Sequence, residues 1–212
     1  MGNKLINENG LQQFFDTMSL FLRSHCLRVE NYTNMLIYAM KESGQFDNDI
    51  NFDLMYREGG RFARWHDIGK ALVSNSLWDS SKKLSDEEVA LIKAHPILGA
   101  GLVSGKININ RKYNVCEDVN DLAVVGCLFH HERWDSKGYP FKIGGEDIPL
   151  PARVVALADS FDSMTDERPY KKARTIDEAL EEMKICSGTQ FDPQLSELFV
   201  KSIIKQLVNR VL

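Results

Sequence analysis

The chain has 212 residues, a formal charge of −4, and 43% hydrophobic and 26% charged residues; it is long enough to bury the core of one large domain, and the balance excludes a disordered tail or a fibre. The acidic balance argues against a binder of nucleic-acid duplexes, which needs a basic face to displace counterions, so any phosphate site must be small and local. The start MGNKLINENG is too polar for a secretory leader and has Ile6 where a myristoylation signal requires Ser or Thr, and no run reaches membrane-spanning length.

Helical periodicity dominates from the beginning. After a short extension, residues 1–10, the apolar stripe Phe14, Phe15, Met18, Leu22, His25, Val29, Tyr32, Leu36 and Met40 recurs every three or four residues and predicts one long amphipathic helix with His25 on its buried face. ESGQFDNDINFD interrupts it with turn residues, and LMYREGGRFARWHDIGK then reads as a helix ending near Gly69. LSDEEVALIKAHPILGAGLV opens with a capping box, Ser85 and Glu88, and should bend or stop at His95-Pro96. The polar stretch SGKININRKYNVCEDVN reads as a loop before the helix DLAVVGCLFHH, and FKIGGEDIPL, residues 141–150, as a small hairpin. Three helices follow, in IPLPARVVALADSFDSMT, TIDEALEEMKICSG and PQLSELFVKSIIKQLVNRVL. Strong two-residue alternation is absent, so the expected fold is an all-α bundle formed by one domain, residues 11–212. Cys26, Cys116, Cys127 and Cys186 form no C-x-x-C pair and lie mostly in apolar segments, as reduced packing thiols of a cytoplasmic protein would.

The five histidines, at 25, 66, 95, 130 and 131, all lie on apolar faces or at the ends of apolar helices. Singly, such a histidine is more often a satisfied core residue than a ligand. Together they would demand several unrelated hydrogen-bond arrangements, whereas one metal cluster satisfies them all. Asp67 stands between FARW and IGK, and Asp159 stands inside the very apolar VVALADSF, where an uncompensated charge is costly. A cation relieves both; the competing use of Asp159 is an ion pair with Arg153.

Neighbouring helical side chains diverge by about 100°, so His66 with Asp67, or His130 with His131, do not chelate one ion face to face. At a helix end they can serve two ions. A carboxylate can bridge two metals about 3.5–4 Å apart, and such a pair activates a hydroxide and holds phosphoester oxygens in line; Asp67 is the candidate bridge. Imidazole with carboxylate and no thiolate favours two divalent ions of iron or manganese, with zinc or nickel as alternatives.

HDIGK (66–70), HPILG (95–99), HHERWDSKGYP (130–140) and ALADSFDSMTDERPYKKA (156–173), preceded by HCLRV (25–29) and followed by FDP (191–193), resemble in order the successive signatures of the HD-GYP family. The resemblance implies an all-helical metal phosphodiesterase that linearises a cyclic dinucleotide, chiefly cyclic di-GMP. It implies His25, His66, Asp67, His95, His130, His131 and Asp159 as metal ligands, with Asp67 and Lys70 central to catalysis. Lys70, Arg168 and Lys171 resemble the phosphate-contacting residues, and Tyr139 is expected on the substrate side. Asp162, one turn after Asp159, is expected to support the site or handle a proton. The family's Gly138-Tyr139-Pro140 loop lies beside the site and is implicated in docking a protein partner.

Three positions depart from the family pattern. Phe21 stands where some members carry a glutamate that helps hold a third metal, which predicts two ions. DGxGYP reads Asp135-Ser136-Lys137-Gly138-Tyr139-Pro140, so its first glycine is lost and its left-handed turn is expected to change. Ser80-Ser81-Lys82 replaces the frequent Lys-Pro-Gly. Residues before Leu11 are too few for a receiver or sensor domain, so the chain is expected to act alone or in trans. Besides the phosphodiesterase, two readings compete: a catalytically weak signalling module acting through the loop at 138–140, and another HD-type enzyme such as a nucleotide phosphohydrolase.

Overall fold

The computed structural model describes residues 8–78, 83–105, 116, 118–167 and 172–211. Ten α-helices occur among them: α1 Glu8–Thr17, α2 Leu20–Ser43, α3 Phe52–Glu58, α4 Asn75–Trp78, α5 Asp86–Lys93, α6 His95–Ser104, α7 Val119–Phe129, α8 Leu150–Thr165, α9 Ile176–Ile185 and α10 Pro193–Val211. No strand is present among the described residues, only an isolated bridge between Ser187 and Phe191. The all-α expectation therefore holds.

Start signals written in the sequence decide most helix boundaries. The capping box at Ser85 and Glu88 opens α5, Thr175 and Glu178 form a second one at α9, and the Asp118 carboxylate accepts the Asn120 and Asp121 amides at the start of α7. Lys93 ends α5, and α6 starts at His95 with Pro96 in its first turn, where a missing N–H costs nothing.

Three expectations need correction. The first stripe is two helices: Ser19 caps α2 by accepting the Leu22 amide at 3.3 Å, and the Thr17 hydroxyl turns back onto the Phe14 carbonyl at 2.7 Å. The apolar stripe runs through this break because Phe15, Met18 and Leu22 all face the same core. LMYREGGRFARWHDIGK is not one helix either. α3 stops at Glu58, and two 3₁₀ segments follow, Gly59–Trp65 and Ile68–Leu72, so that His66 and Asp67 fall at the joint between them. Finally, 141–150 forms no hairpin. Lys142 has φ 57°, Gly145–Asp147 is a 3₁₀ turn, and the amides of Phe141 and Lys142 are taken by the Glu132 carboxylate instead of a partner strand.

α2, α7 and α8 pack with Gly59–Trp65 around Phe62, Leu122, Leu157 and Phe161, all fully buried or nearly so. α6 lies across Ile68–Leu72 at Gly69, where a Cβ would stand 2.5 Å from the Gly99 amide nitrogen. Only glycine permits that approach, and it brings the Asp67 turn up to His95. Among the described residues no helix is long and apolar enough to cross a membrane. Cys26, Cys116 and Cys127 are buried free thiols, and Cys186 is half-buried and free.

Candidate metal centre

Five separate stretches of backbone converge on one buried point. His25 comes from the middle of α2, His66 and Asp67 from the joint between the 3₁₀ segments, His95 from the first residue of α6, His130 and His131 from the end of α7, and Asp159 from α8. Three of these histidines owe their ring orientation to a local bond. The Nδ1–H groups of His66, His95 and His130 donate to the carbonyls of Ala63, Ile92 and Gly126 at 2.8, 2.7 and 2.8 Å. Each acceptor lies three or four residues back and also takes a backbone amide, from His66, Ala94 and His130 respectively, so the same carbonyl fixes the local turn and the ring. The tautomer follows from this network: the proton sits on Nδ1, and Nε2 carries a bare lone pair turned inward.

Asp67 lies at the centre, 1% exposed, with its two oxygens facing different neighbours. Oδ2 lies 3.6 Å from His25 Nε2 and 3.4 Å from His66 Nε2, while Oδ1 lies 3.2 Å from His95 Nε2 and 3.8 Å from His130 Nε2. Asp159 Oδ1 closes the first side, 3.2 Å from His25 Nε2 and 3.9 Å from His66 Nε2. Ligand-type atoms of Asp67, His95, His130 and His131 lie within 4.8 Å of one another, as do those of His25, His66 and Asp67, and those of His66, His130 and Asp159. All seven residues expected as ligands thus meet in overlapping groups.

These groups fit a cation better than they fit each other. His95 Nε2 and His130 Nε2 are 3.3 Å apart although both Nδ1 protons are committed elsewhere, so two lone pairs face one another. His66 Nε2 and Asp67 Oδ1 are buried without a hydrogen-bond partner, a costly condition that a positive ion between them removes. Four carboxylates, Asp67, Asp159, Asp162 and Asp166, are met by two fixed cations, Lys70 and Arg28. Burial works to lower the His25 pKa, but its bonds to Asp159, Asp162 and Asp67 outweigh that and push it up to about 10. On the other side, burial brings His131 down to about 3 and, together with the neighbouring histidines, holds His130 well below its ordinary value. The donor set is imidazole and carboxylate throughout; Cys127, the nearby thiol, donates instead to the Trp65 carbonyl.

The remaining expected residues take distinct places. Lys70 sets its ammonium against Asp67 Oδ2 and 4.9 Å above the Trp78 ring. Asp162, 1% exposed, stands behind His25, accepting from His25 Nδ1 at 2.7 Å and from the Arg28 guanidinium at 2.6 and 2.9 Å. Tyr139 stacks on the His131 ring, centroids 4.7 Å apart, and the Lys93 ammonium lies 5.4 Å from the Tyr139 ring centroid. Arg153 pairs with Asp192 at 2.6 Å and leaves Asp159 to the histidines. Phe21 packs against the core. Arg168, Lys171 and the replaced connector Ser80-Ser81-Lys82 lie outside the described residues.

The loop keeps its turn despite the lost glycine. Ser136 itself adopts the left-handed conformation, φ 60°, with its amide on the Arg133 carbonyl and the Lys137 amide on Asp135. Gly138 cannot be replaced in the same way, because a Cβ there would lie 2.5 Å from the His131 carbonyl and from Glu132 Cα. Sequence reasoning missed Arg28, Trp78 and Glu132. Arg28 had a signal, being one turn after His25; Trp78 had none.

An all-helical domain closing around an inward cluster of histidines and aspartates is the class that fold and site define together. The chain matches the HD domain family over residues 62–195 and belongs to that family. It is 39% identical over 151 residues to a cyclic di-GMP phosphodiesterase of Pseudomonas aeruginosa, covering 71% of this chain and 34% of that protein. It is 33% identical over 180 residues to a cyclic di-GMP phosphodiesterase of Vibrio cholerae, covering 84% and 35%. The chain thus spans about a third of the length of these curated relatives. Among solved structures it resembles the HD domain of an L. monocytogenes phosphodiesterase in complex with cyclic-di-AMP, with a TM-score of 0.56 at 16% identity, covering 93% of this chain and 94% of that one. At that identity the likeness establishes the fold.

Proposed function

We propose that this domain is a phosphodiesterase dependent on two divalent metal ions, iron or manganese foremost, that hydrolyses a cyclic dinucleotide, cyclic di-GMP first among them. The observation that carries the reading is the split of Asp67, one oxygen toward His25 and His66 and the other toward His95 and His130. A carboxylate so arranged is suited to bridging two ions. His25, His66 and Asp159 would complete one side, and His95, His130 and His131 the other. When bound there, such ions would supply Lewis acidity at the phosphate and a water acidic enough to act as nucleophile near neutral pH.

The protein's own groups do the rest. Asp162 holds the Nδ1 proton of His25 and fixes the tautomer that aims Nε2 inward. Lys70, already at the centre, neutralises a phosphate oxygen as charge develops, and Arg168 and Lys171 add positive charge from the segment after α8. Tyr139 walls the site beside His131. In hydrolysis the oxygen of one water bonds to phosphorus as one phosphorus–oxygen ester bond of the ring breaks, and the proton that the water gives up balances the one that the departing ribose oxygen takes. Relatives named for cyclic di-GMP and for 3'3'-cGAMP both support the ring-dinucleotide class.

Anaerobic purification with metal analysis, then incubation with cyclic di-GMP and with 3'3'-cGAMP, tests the reading. The expected result is about two ions per chain and a linear or mononucleotide product, lost in His66→Ala and Asp67→Ala. Ions with tight ligand binding but no turnover under iron or manganese would leave a signalling module instead.

A further inference from the structure

Glu132 directly follows the two histidines, is 3% exposed, and belongs to no cluster described so far. Its Oε1 accepts the backbone amides of Phe141 and Lys142 at 2.6 and 3.1 Å, so this one carboxylate oxygen ties down the far end of the loop that carries Tyr139. Its Oε2 is buried with no protein partner. A buried charged acceptor left in that state is expensive.

A second unpartnered atom lies close by. Arg153 on α8 gives Nη1 to Asp192 Oδ2 at 2.6 Å, but its Nε–H is buried and makes no bond. Asp192 in turn caps α10, its Oδ1 accepting the amides of Gln194 and Leu195. Glu132, Arg153, Asp192, Trp134 and Gln190 line one small cavity of about 10 Å³. That is room for roughly one water, which needs two to four polar partners to be stable. A lone donor from a cation and a lone acceptor from an anion, lining a space of that size, satisfy the requirement.

We infer that a single buried water bridges Arg153 Nε to Glu132 Oε2, and that Arg153 and Glu132 are thereby positioning residues for the loop at 138–143. The bridge completes a chain from the α10 cap through Asp192, Arg153 and Glu132 to the Phe141 and Lys142 amides. Backbone bonds already stitch one side of the loop to the turn before α10, Trp134 N to Gln190 O at 3.1 Å and Asp135 N to Thr189 O at 2.8 Å. The water secures the other side, and with it the stacking of Tyr139 on His131. The late FDP signature and the Gly-Tyr-Pro signature thus act as one structural unit although about 50 residues separate them in sequence.

The functional consequence rests on the phosphodiesterase reading; the bridge does not. A high-resolution crystal structure of the full chain should show one water within hydrogen-bond distance of both atoms. Arg153→Lys keeps a cation for Asp192 and removes the Nε donor. It should raise hydrogen exchange at the Phe141 and Lys142 amides by up to about tenfold, with α7 and α10 amides unchanged. It should also raise KM for cyclic di-GMP with metal content and kcat retained, a split that general destabilisation does not produce. A dry cavity, a direct Glu132–Arg153 contact, or a folded Arg153→Lys protein with wild-type exchange at those two amides would overturn the inference. A wild-type protein with no turnover but the expected water and exchange would overturn only the phosphodiesterase reading.

Discussion

Arg28 sits one turn after His25 on α2 and grips both oxygens of Asp162, while its Nη2 also reaches Asp166 at the end of α8. Asp162 holds His25 Nδ1, so the guanidinium is the outermost member of a line that ends at an inward imidazole nitrogen. Groups of this kind fix ring orientation and basicity. Arg28→Met is expected to weaken metal affinity about 10- to 100-fold in a protein that still folds, as read by chelator competition with circular dichroism as the control. Unchanged affinity would reduce the fork to a brace between α2 and α8. At this scale the site was largely legible: every histidine stands at a helix end or on an apolar face, and buried charge at Asp67 and Asp159 calls for a cation. Arg28 could be placed one turn after His25, but its role depends on Asp162, 134 positions away; Glu132 was not legible, because its role depends on the Phe141 amide in a loop whose path no periodicity describes.

The contact of α6 with Ile68–Leu72 decides whether His95 and Asp67 meet. Gly69→Ala would push a methyl group into the Gly99 amide and the His95 carbonyl, where the neighbours are backbone and yield poorly. The expected cost is about 1–3 kcal/mol, and each kcal/mol lowers the unfolding midpoint about 2–4 °C in a domain of this size. A calorimetric scan checks it, and metal content should fall with it because the Asp67 turn moves away from His95. Element types came through well from sequence wherever a cap announces a start, as at Ser85, Asp118 and Thr175. Ser19 shows why the rest did not. It lies inside an unbroken apolar stripe, and only the bond to the Leu22 amide reveals it as a cap. The same holds for 59–72, where a helical pattern of apolar residues accommodates two 3₁₀ turns because the chain is pressed between α2 and α6.

Across the whole molecule, the cluster places unpartnered polar atoms and excess negative charge at the meeting point of α2, α6, α7 and α8. Without a cation that point opposes folding, so removing metal should cost stability. An ion present at about 100 times its dissociation constant contributes about 2.7 kcal/mol, and chelation is expected to lower the unfolding midpoint by about 5–10 °C. A melting curve with and without chelator measures it, and an unchanged midpoint would mean that the cluster is balanced by protons alone. His25 and Asp162 are 137 positions apart yet in direct contact. During synthesis the N-terminal helices leave the ribosome long before α8 exists, and for that interval His25 and His66 have neither Asp159 nor Asp162 to complete their surroundings. The centre is therefore assembled late, and a chain released before residue 159 carries six of the seven candidate ligands but lacks Asp159, the carboxylate that closes the side of His25 and His66: metal retention is expected to report on complete translation as well as on folding.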